Sequence, residues 1–181
     1  MPEAPATVVA LHLCSSGRAP LRAVDRVVAM AEQGLEGDRH ARQGSRRQVL
    51  LMESEVLEAL GLEPGDVREQ VTVRGLGLDR LPFGARLRVG DAVLEVAGPC
   101  APCERMDEVR PGLMEALVGR RGRFVRVVTP GSFAVGDTLT VVPADQAVSK
   151  NDECKAARSD ERGDPLSQQA AEGAEDKAAR E

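Results

Sequence analysis

Two cysteines separated by two residues, Cys100 and Cys103, are the side chains in this sequence best suited to covalent or metal chemistry. They follow a strand-like run at 92–96 and precede residues typical of a helix. A cysteine just before a helix lies near the positive end of the helix dipole, and the nearby Arg105 adds a positive charge, so the thiolate form is favoured. Such a thiolate can act as a nucleophile, a metal ligand or a sulfur carrier. The same spacing also occurs in redox couples, in half of a zinc site and in plain buried cysteines.

A second candidate site is the glycine-rich segment 34–40, in which Asp38, Arg39 and His40 are consecutive. Glycines let backbone N–H groups approach a ligand closely, and the three side chains supply a carboxylate, a permanent cation and a group that titrates near neutral pH. The segment therefore predicts a binding loop. We interpret His12, which lies in a strand pattern, as a structural residue.

The elements that must position these residues have mainly the pattern of short β-strands. Runs rich in β-branched residues predict strands at 7–13, 24–30, 47–52 and 71–73, and Gly-Asp pairs predict tight turns in two hairpin-like units at 87–96 and 133–141. Many short strands joined by glycine turns favour a closed β-barrel. Short helices are predicted at 55–60 with Ser54 as the N-cap, at 104–109 and at 112–118. We therefore expect both thiols on an exposed connection between a strand and a helix.

The length and composition indicate one folded domain followed by a tail. A chain of 181 residues with 42% hydrophobic content suits one domain of the usual roughly 100–200 residues, which we place at 1–143. Residues 144–181 have almost no large apolar side chains, so we predict a disordered acidic tail in which Cys154 is incidental. The sequence has neither an apolar run of about 18 residues nor a signal-peptide pattern. We expect a cytoplasmic protein with reduced thiols and no membrane partner.

The charged residues favour a small anionic partner. Up to Pro143 the chain has 18 Arg and no Lys against 19 acidic residues. A guanidinium contacts phosphate or carboxylate with two parallel hydrogen bonds, although a compositional bias would produce the same arginine content. Nucleic acid is not expected as a partner, because the domain is not basic overall and aromatic residues make up only 2%. The first lysine is Lys150, so the predicted domain has no Schiff-base lysine and we expect this chain to bind no pyridoxal phosphate.

Five segments of the chain together resemble the MOSC domain, in order and at compatible spacing across about 7–142. That domain occurs at the C-terminus of eukaryotic molybdenum cofactor sulfurases, in mitochondrial amidoxime-reducing proteins and in small free-standing bacterial proteins. The resemblance implies a mainly β fold, a closed barrel of the pyruvate-kinase-like type with a few short helices. Because the barrel pattern begins close to Met1, we expect a stand-alone member. The segments are Gly34–His40, Arg47–Leu51, Arg68–Gly75, Cys100–Cys103 and Gly122–Val128.

The resemblance also implies roles for particular residues. The characteristic cysteine of the family corresponds to Cys103, which is proposed to carry sulfur as a persulfide in sulfurase-like members and ligates molybdenum in reductase-like members. Arg68 corresponds to an arginine that helps to hold the pterin phosphate. Gln70 stands where relatives usually have an asparagine, so the geometry of that contact differs by one methylene. The candidate cofactor-binding residues are Arg68, Arg47, Gln70, Asp38, Arg39 and His40.

Three functions are compatible with this resemblance. In the first, Cys103 accepts sulfur from a cysteine desulfurase and passes it to molybdenum cofactor, and Cys100 can resolve the persulfide. In the second, Cys103 ligates molybdenum, and the protein reduces N-hydroxylated compounds with electrons from a partner. In the third, the protein is a non-catalytic carrier of molybdopterin.

Two other uses of the thiols are less favoured. A zinc site built from Cys14, Cys100, Cys103 and His40 has only one pair at zinc-ribbon spacing. A thioredoxin-like dithiol normally precedes a long helix in a βαβ unit, a pattern that does not follow Cys103.

Overall fold

The computed structural model describes residues 5–17 and 19–143. The predicted tail at 144–181, with Cys154, lies outside the described residues. The strands are β1 (Ala6–Leu13), β2 (Arg22–Val24), β3 (Arg26–Met30), β4 (Gly34–Leu35), β5 (Val49–Glu53), β6 (Val71–Arg74), β7 (Arg86–Val89), β8 (Ala92–Pro99), β9 (Arg123–Thr129), β10 (Gly131–Ala134) and β11 (Thr138–Val142). The helices are α1 (Ser54–Ala59), α2 (Arg105–Val109) and α3 (Leu113–Ala116), with a 3-10 turn at Leu78–Arg80.

Seven of these strands close into a barrel, which confirms the mainly β prediction. Around the barrel the order is β11, β7, β8, β9, β5, β6 and β1, and β1 pairs back to β11. All neighbours are antiparallel except β5 and β6, which run parallel. Strand β2 extends the sheet beside β1, and β10, β3 and β4 form a separate three-stranded sheet. Closure pairs the backbone of the barrel strands on both sides, which short strands linked by tight turns achieve without long connections.

Two apolar clusters stabilise this arrangement. The first fills the barrel with alternating side chains of its strands, including the fully buried Leu51, Leu87, Leu94 and Val127. The second lies where the three helices meet the end of β5, and it contains Met52, Leu57, Met106, Leu113 and Leu117. Because Met106 of α2 is fully buried there, the second cluster fixes the segment that carries the two thiols.

The three helices are short, and they match the predicted positions to within a few residues. Within the described residues no helix has the length and apolar character needed to cross a bilayer. The predicted N-cap at Ser54 is wrong, because β5 continues directly into α1 and Glu53 occupies the cap position. Ser54 is the first helical residue, and its hydroxyl donates to Glu55 instead.

Two strand predictions are also wrong in detail. The run predicted as one strand at 24–30 divides at Asp25 into the end of β2 and the start of β3, which belong to different sheets. The unit at 133–141 is not a hairpin, since β10 pairs with β3 whereas β11 pairs with β7 and β1. The Gly136 N–H donates to the carbonyl of Val8, and the Val8 N–H donates to that of Asp137. The turn between β10 and β11 is therefore hydrogen-bonded to β1, and these two strands do not pair with each other.

Candidate functional site

The thiol pair lies on the predicted connection between a strand and a helix, here β8 and α2, but the expected exposure is wrong for Cys100. The Cys100 N–H donates to the carbonyl of Gly122 at 3.1 Å, and the carbonyl of Cys103 accepts the Met106 N–H at 2.8 Å. Cys103 is exposed, whereas Cys100 is only 7% exposed and Cys14 is fully buried. Of the cysteines in residues 5–17 and 19–143, Cys103 is the one that a reagent or partner can reach.

A buried arginine contacts the inner thiol. The Arg121 guanidinium donates to Cys100 Sγ at 2.5 Å, to Met106 Sδ at 3.1 Å and to the carbonyl of Val67 at 2.7 Å. Sequence reasoning missed this residue, because 120–123 resembles an exposed basic turn and the neighbouring Arg120 is indeed exposed. Arg105, which the sequence placed beside the thiols, donates instead to the carbonyl of Gly17 at 3.1 Å.

Burial raises the pKa of the Cys100 thiol, because a thiolate in an apolar environment loses its hydration. The Arg121 charge and its hydrogen bond oppose this effect. The remaining influences are Cys103, whose negative charge would raise the pKa of Cys100, and Arg47, which lowers it. The resting form of Cys100 is therefore the neutral thiol, and Arg121, Cys103 and Arg47 each shift its pKa.

The predicted binding loop is tied to the end of β1 through Asp38. One carboxylate oxygen of Asp38 accepts the Cys14 N–H at 2.7 Å, and the other lies 2.8 Å from both the N–H and the ring Nδ1 of His40. Burial alone would raise the pKa of Asp38, but the bonds from His40 and Cys14 outweigh it and hold the pKa below its ordinary value. Both oxygens are thus engaged within the chain.

Gln70, which directly precedes β6, joins the same hydrogen-bonded group. Its side-chain carbonyl accepts the Leu50 N–H at 2.9 Å, and its amide nitrogen lies 3.1 Å from Nδ1 of His40. The Arg39 guanidinium lies against Gly17, where an added Cβ would approach it to 2.9 Å. The predicted cofactor-binding residues Asp38, Arg39, His40 and Gln70 are therefore brought together at one end of β1, and their contact with a cofactor stays a prediction.

Arg68 lies in the wall of an open cavity of about 480 Å³ that Arg105 and His12 also line. Its backbone has φ of +64°, a left-handed conformation that is uncommon for a residue with a side chain. The guanidinium donates to the carbonyl of Ala19 at 3.2 and 3.3 Å and to Cys14 Sγ at 3.1 Å. A guanidinium has five N–H donors, so Arg68 keeps donors for a ligand. Asp66 and Glu108 lie in the same wall and balance the two arginines.

The residue next to Arg68 is fully buried. Oε1 of Glu69 accepts the Gly65 N–H at 2.6 Å and the Thr72 hydroxyl at 2.9 Å, whereas Oε2 has no partner among the described residues. Burial raises the pKa of Glu69, because the carboxylate loses water that these two bonds do not replace. Three consecutive residues thus have three different settings: Arg68 faces the cavity, Glu69 is in the interior and Gln70 bonds to β5.

Arg47, the remaining predicted anion contact, lies on the thiol side of the molecule. It precedes β5, and its guanidinium is 5.5 Å from the centre of the Phe124 ring. Its influence on the pKa of Cys100 places its charge near the thiols. The structure therefore does not bring Arg47 into the same cavity wall as Arg68.

The zinc alternative is not supported by the geometry. No three His, Cys, Asp or Glu side chains come together as a metal-binding group in the part of the chain that the structure describes. Cys14, Cys100, Cys103 and His40 all belong to that part, and Cys14 Sγ donates to the carbonyl of Ser16. The accessible sulfur of Cys103 is the metal-ligand type that this part of the chain offers.

A protein-family model and several solved structures are similar to this chain. The family model of the MOSC domain matches residues 38–140, which is more than half of the chain. The fold is similar to that of the YuaD protein from Bacillus subtilis, with a TM-score of 0.65, 22% identity, and coverage of 75% of this chain and 94% of that one. It is also similar to YiiM from Geobacillus stearothermophilus, with a TM-score of 0.63, 23% identity, and coverage of 77% and 76%. For YiiM from Escherichia coli the TM-score is 0.58 at 20% identity, with coverage of 76% and 70%. None of the curated proteins compared with this sequence matches it.

Proposed function

The chain belongs to the MOSC domain family, and from this membership we propose that Cys103 carries sulfur as a persulfide and delivers it to a molybdenum–pterin cofactor. The observation that carries the proposal is the difference in exposure among the cysteines. Cys14 and Cys100 are buried, whereas Cys103 is exposed on the short connection after β8. A sulfur carrier must meet two partners in turn, so its thiol has to be accessible.

The transfer requires only a nucleophilic thiolate at Cys103. Its sulfur attacks the outer sulfur of a persulfide on the donor, the S–S bond of the donor breaks, and the donor cysteine leaves as a thiolate. No oxidant or reductant is consumed in this step. We assign the donor role to a cysteine desulfurase and place the reaction in the cytoplasm, where free thiols remain reduced.

The residues present supply both kinds of contact that the cofactor implied by the family requires, although Cys103 is not among the residues that line the cavity with Arg68 and Arg105. The Cys103 thiolate is a soft ligand of the kind that molybdenum accepts, and Arg68 and Arg105 offer guanidinium donors to a phosphate group. Asp66 and Glu108 reduce the net charge of the cavity, so a phosphate would depend on direct guanidinium contacts rather than on a general positive field. When bound, the cofactor supplies the metal centre that receives sulfur.

Intact-mass spectrometry after incubation with a cysteine desulfurase and cysteine tests the sulfur-carrier proposal. We expect the full chain to gain one sulfur atom that a reducing agent removes. The Cys103→Ser variant should gain none, and the matched control Cys154→Ser should behave as the native chain. The proposal is refuted if neither the native chain nor the Cys100→Ser variant gains sulfur, or if the adduct is still present in Cys103→Ser.

A second candidate function rests on the arginine-containing cavity. In this alternative Cys103 ligates molybdenum, and the protein reduces N-hydroxylated compounds with electrons from a partner. Metal analysis of protein produced in a host that makes molybdenum cofactor separates the two roles, because a resident cofactor would co-purify with the native chain. Loss of molybdenum in Cys103→Ser supports metal ligation. If Cys103→Ser retains molybdenum and Arg68→Gln loses it, non-catalytic carriage is supported. Absence of molybdenum from the native chain rules out both metal ligation and carriage.

A further inference from the structure

The two thiols of the connection differ in accessibility but are fixed close together in the chain. Cys100 is anchored by its N–H bond to Gly122, and Cys103 is anchored by its carbonyl bond to Met106. Only Ala101 and Pro102 separate them. A negative charge on Cys103 would be near enough to raise the pKa of Cys100. The outer thiol, Cys103, is exposed to solvent, whereas the inner thiol, Cys100, is buried.

Of the hydrogen-bond partners of Arg121 in the described part of the chain, the inner thiol alone can become negatively charged. The guanidinium remains protonated in proteins, and a buried cation without a counter-ion is costly. None of the ion pairs formed in the described residues involves Arg121. Two of its three acceptors, the Met106 thioether and the Val67 carbonyl, cannot ionise. Ionisation of Cys100 would therefore supply the missing counter-ion.

Modification of Cys103 changes the balance at Cys100. A negative charge on Cys103 opposes ionisation of the inner thiol, and Arg121 favours it. A neutral disulfide at Cys103 carries no such charge, so it removes one of the two influences that oppose ionisation of Cys100; burial, the larger of the two, remains, and Arg121 still acts against it. Reaction of Cys103 thus shifts the balance at Cys100 toward ionisation.

We propose that Cys100 is the resolving thiol for a sulfur group attached to Cys103, with Arg121 as the residue that positions and activates it. Cys100 Sγ loses its proton to solvent and attacks Cys103 Sγ. The bond between Cys103 and the outer sulfur breaks, and an S–S bond forms between Cys100 and Cys103. The two protein thiols are oxidised together by two electrons, and the outer sulfur leaves reduced, as a thiolate or, from a persulfide, as hydrosulfide. A cellular dithiol reductant then restores both thiols.

For a persulfide this step rests on the proposed function, since the step removes sulfur that Cys103 has not delivered.

The structural feature that distinguishes this thiol pair from a thioredoxin-like site is the group that activates the thiol. Helix α2 has only five residues, so it contributes little of the helix dipole that activates such sites. The buried guanidinium of Arg121 takes that role in this barrel.

An aromatic disulfide reagent, dithiobis(nitrobenzoic acid), tests the step independently of any persulfide. The protein is the full chain with Cys154→Ser, treated with one equivalent of reagent. Reaction at Cys103 releases one thionitrobenzoate, and attack by Cys100 releases a second and leaves a chain lighter by two hydrogen atoms. The additional substitution Cys100→Ser should stop after the first release and retain the aromatic adduct. Release of one equivalent or none from the Cys100-containing chain overturns the proposal.

The role of Arg121 is tested by the rate of the second release. Arg121→Lys should slow it by about tenfold or more, because a single ammonium nitrogen cannot keep the three contacts that hold the guanidinium against the attacking sulfur. Arg120→Lys is the matched control, since Arg120 is exposed and donates to the carbonyl of Ala116; its rate should equal that of the parent chain. Equal second-release rates in Arg121→Lys and Arg120→Lys would refute the assignment of Arg121.

A parallel reaction with inorganic polysulfide separates this inference from the proposed function. If Cys103 of the Cys100→Ser chain gains no sulfur from polysulfide but the aromatic reagent gives the Cys100–Cys103 disulfide in the chain with both thiols, sulfur carriage is refuted and the resolving role stands. If Cys103 gains sulfur but the aromatic adduct persists in the native thiol pair, the resolving role is refuted and sulfur carriage stands.

Discussion

Replacement of Gly122 by alanine should destabilise the barrel and disturb the thiol connection together. Gly122 has φ of +84°, and an added Cβ would lie 2.0 Å from the carbonyl oxygen of Leu51 in β5. That atom belongs to the backbone of a fully buried strand residue and cannot rotate away. Either β5 or the turn before β9 must move, and the carbonyl of Gly122 that accepts the Cys100 N–H moves with the turn.

Gly119 provides a matched control for this substitution. Its φ is +78°, almost that of Gly122, but an added Cβ would meet no atom within 4 Å. Alanine in a left-handed conformation costs about 1–2 kcal/mol, and the smaller entropy of the unfolded chain returns about 0.4–1 kcal/mol. We therefore expect Gly119→Ala to lower the free energy of unfolding by roughly 1 kcal/mol. Gly122→Ala should lose a further ~1–3 kcal/mol from the clash.

The measurement is urea unfolding of both variants and the parent chain, with thermal unfolding as a second readout. At about 4 °C per kcal/mol for a domain of this size, the two variants should differ in Tm by roughly 4–12 °C. Cys100 should also become more reactive toward an alkylating reagent in Gly122→Ala than in Gly119→Ala. The reasoning is refuted if the two variants have the same unfolding midpoint, because their backbone strain is equal and only the predicted contact with Leu51 separates them.

Three further predictions concern stability. In urea unfolding, Glu69→Gln should be more stable than the parent at pH 7.5 but not at pH 4. Because the pKa of Glu69 is raised in the fold, its ionisation increasingly destabilises the folded state as the pH rises past the ordinary pKa of a glutamate. Equal stability differences at both pH values would contradict this. Asp38→Asn should lower the free energy of unfolding by about 1–3 kcal/mol at neutral pH. Because the pKa of Asp38 is lowered in the fold, this difference from the parent should shrink as the pH falls through the acid range. A difference that is independent of pH would count against the role of the Asp38 charge. Truncation after Ala144 should change Tm by less than about 2 °C, and a larger decrease in calorimetry would show that the tail contributes to the fold.

The outline of the barrel was accessible from the sequence because its signals are local. Strands of β-branched residues and Gly-Asp turns depend on neighbouring residues, and Gly90 and Gly136 have the positive φ that these turns require. The pairing of β10 with β3 was not accessible, since an alternating pattern shows that a strand has a buried face but not which strand lies beside it. For the same reason the break at Asp25 was missed.

Residue types and spacing identified the thiol pair, the arginines and the loop with Asp38 as places where chemistry could occur, because reactivity begins with the functional groups that a chain contains. The sequence also indicated the connection between strand and helix on which the thiols lie. Only the tertiary structure decided which thiol faces solvent and that Arg121 rather than Arg105 contacts the Cys100 sulfur. It also decided that Arg68 lines the cavity and Arg47 does not. Those relations join residues distant in the chain, and burial and electrostatic contact depend on how the barrel and its helices pack in space.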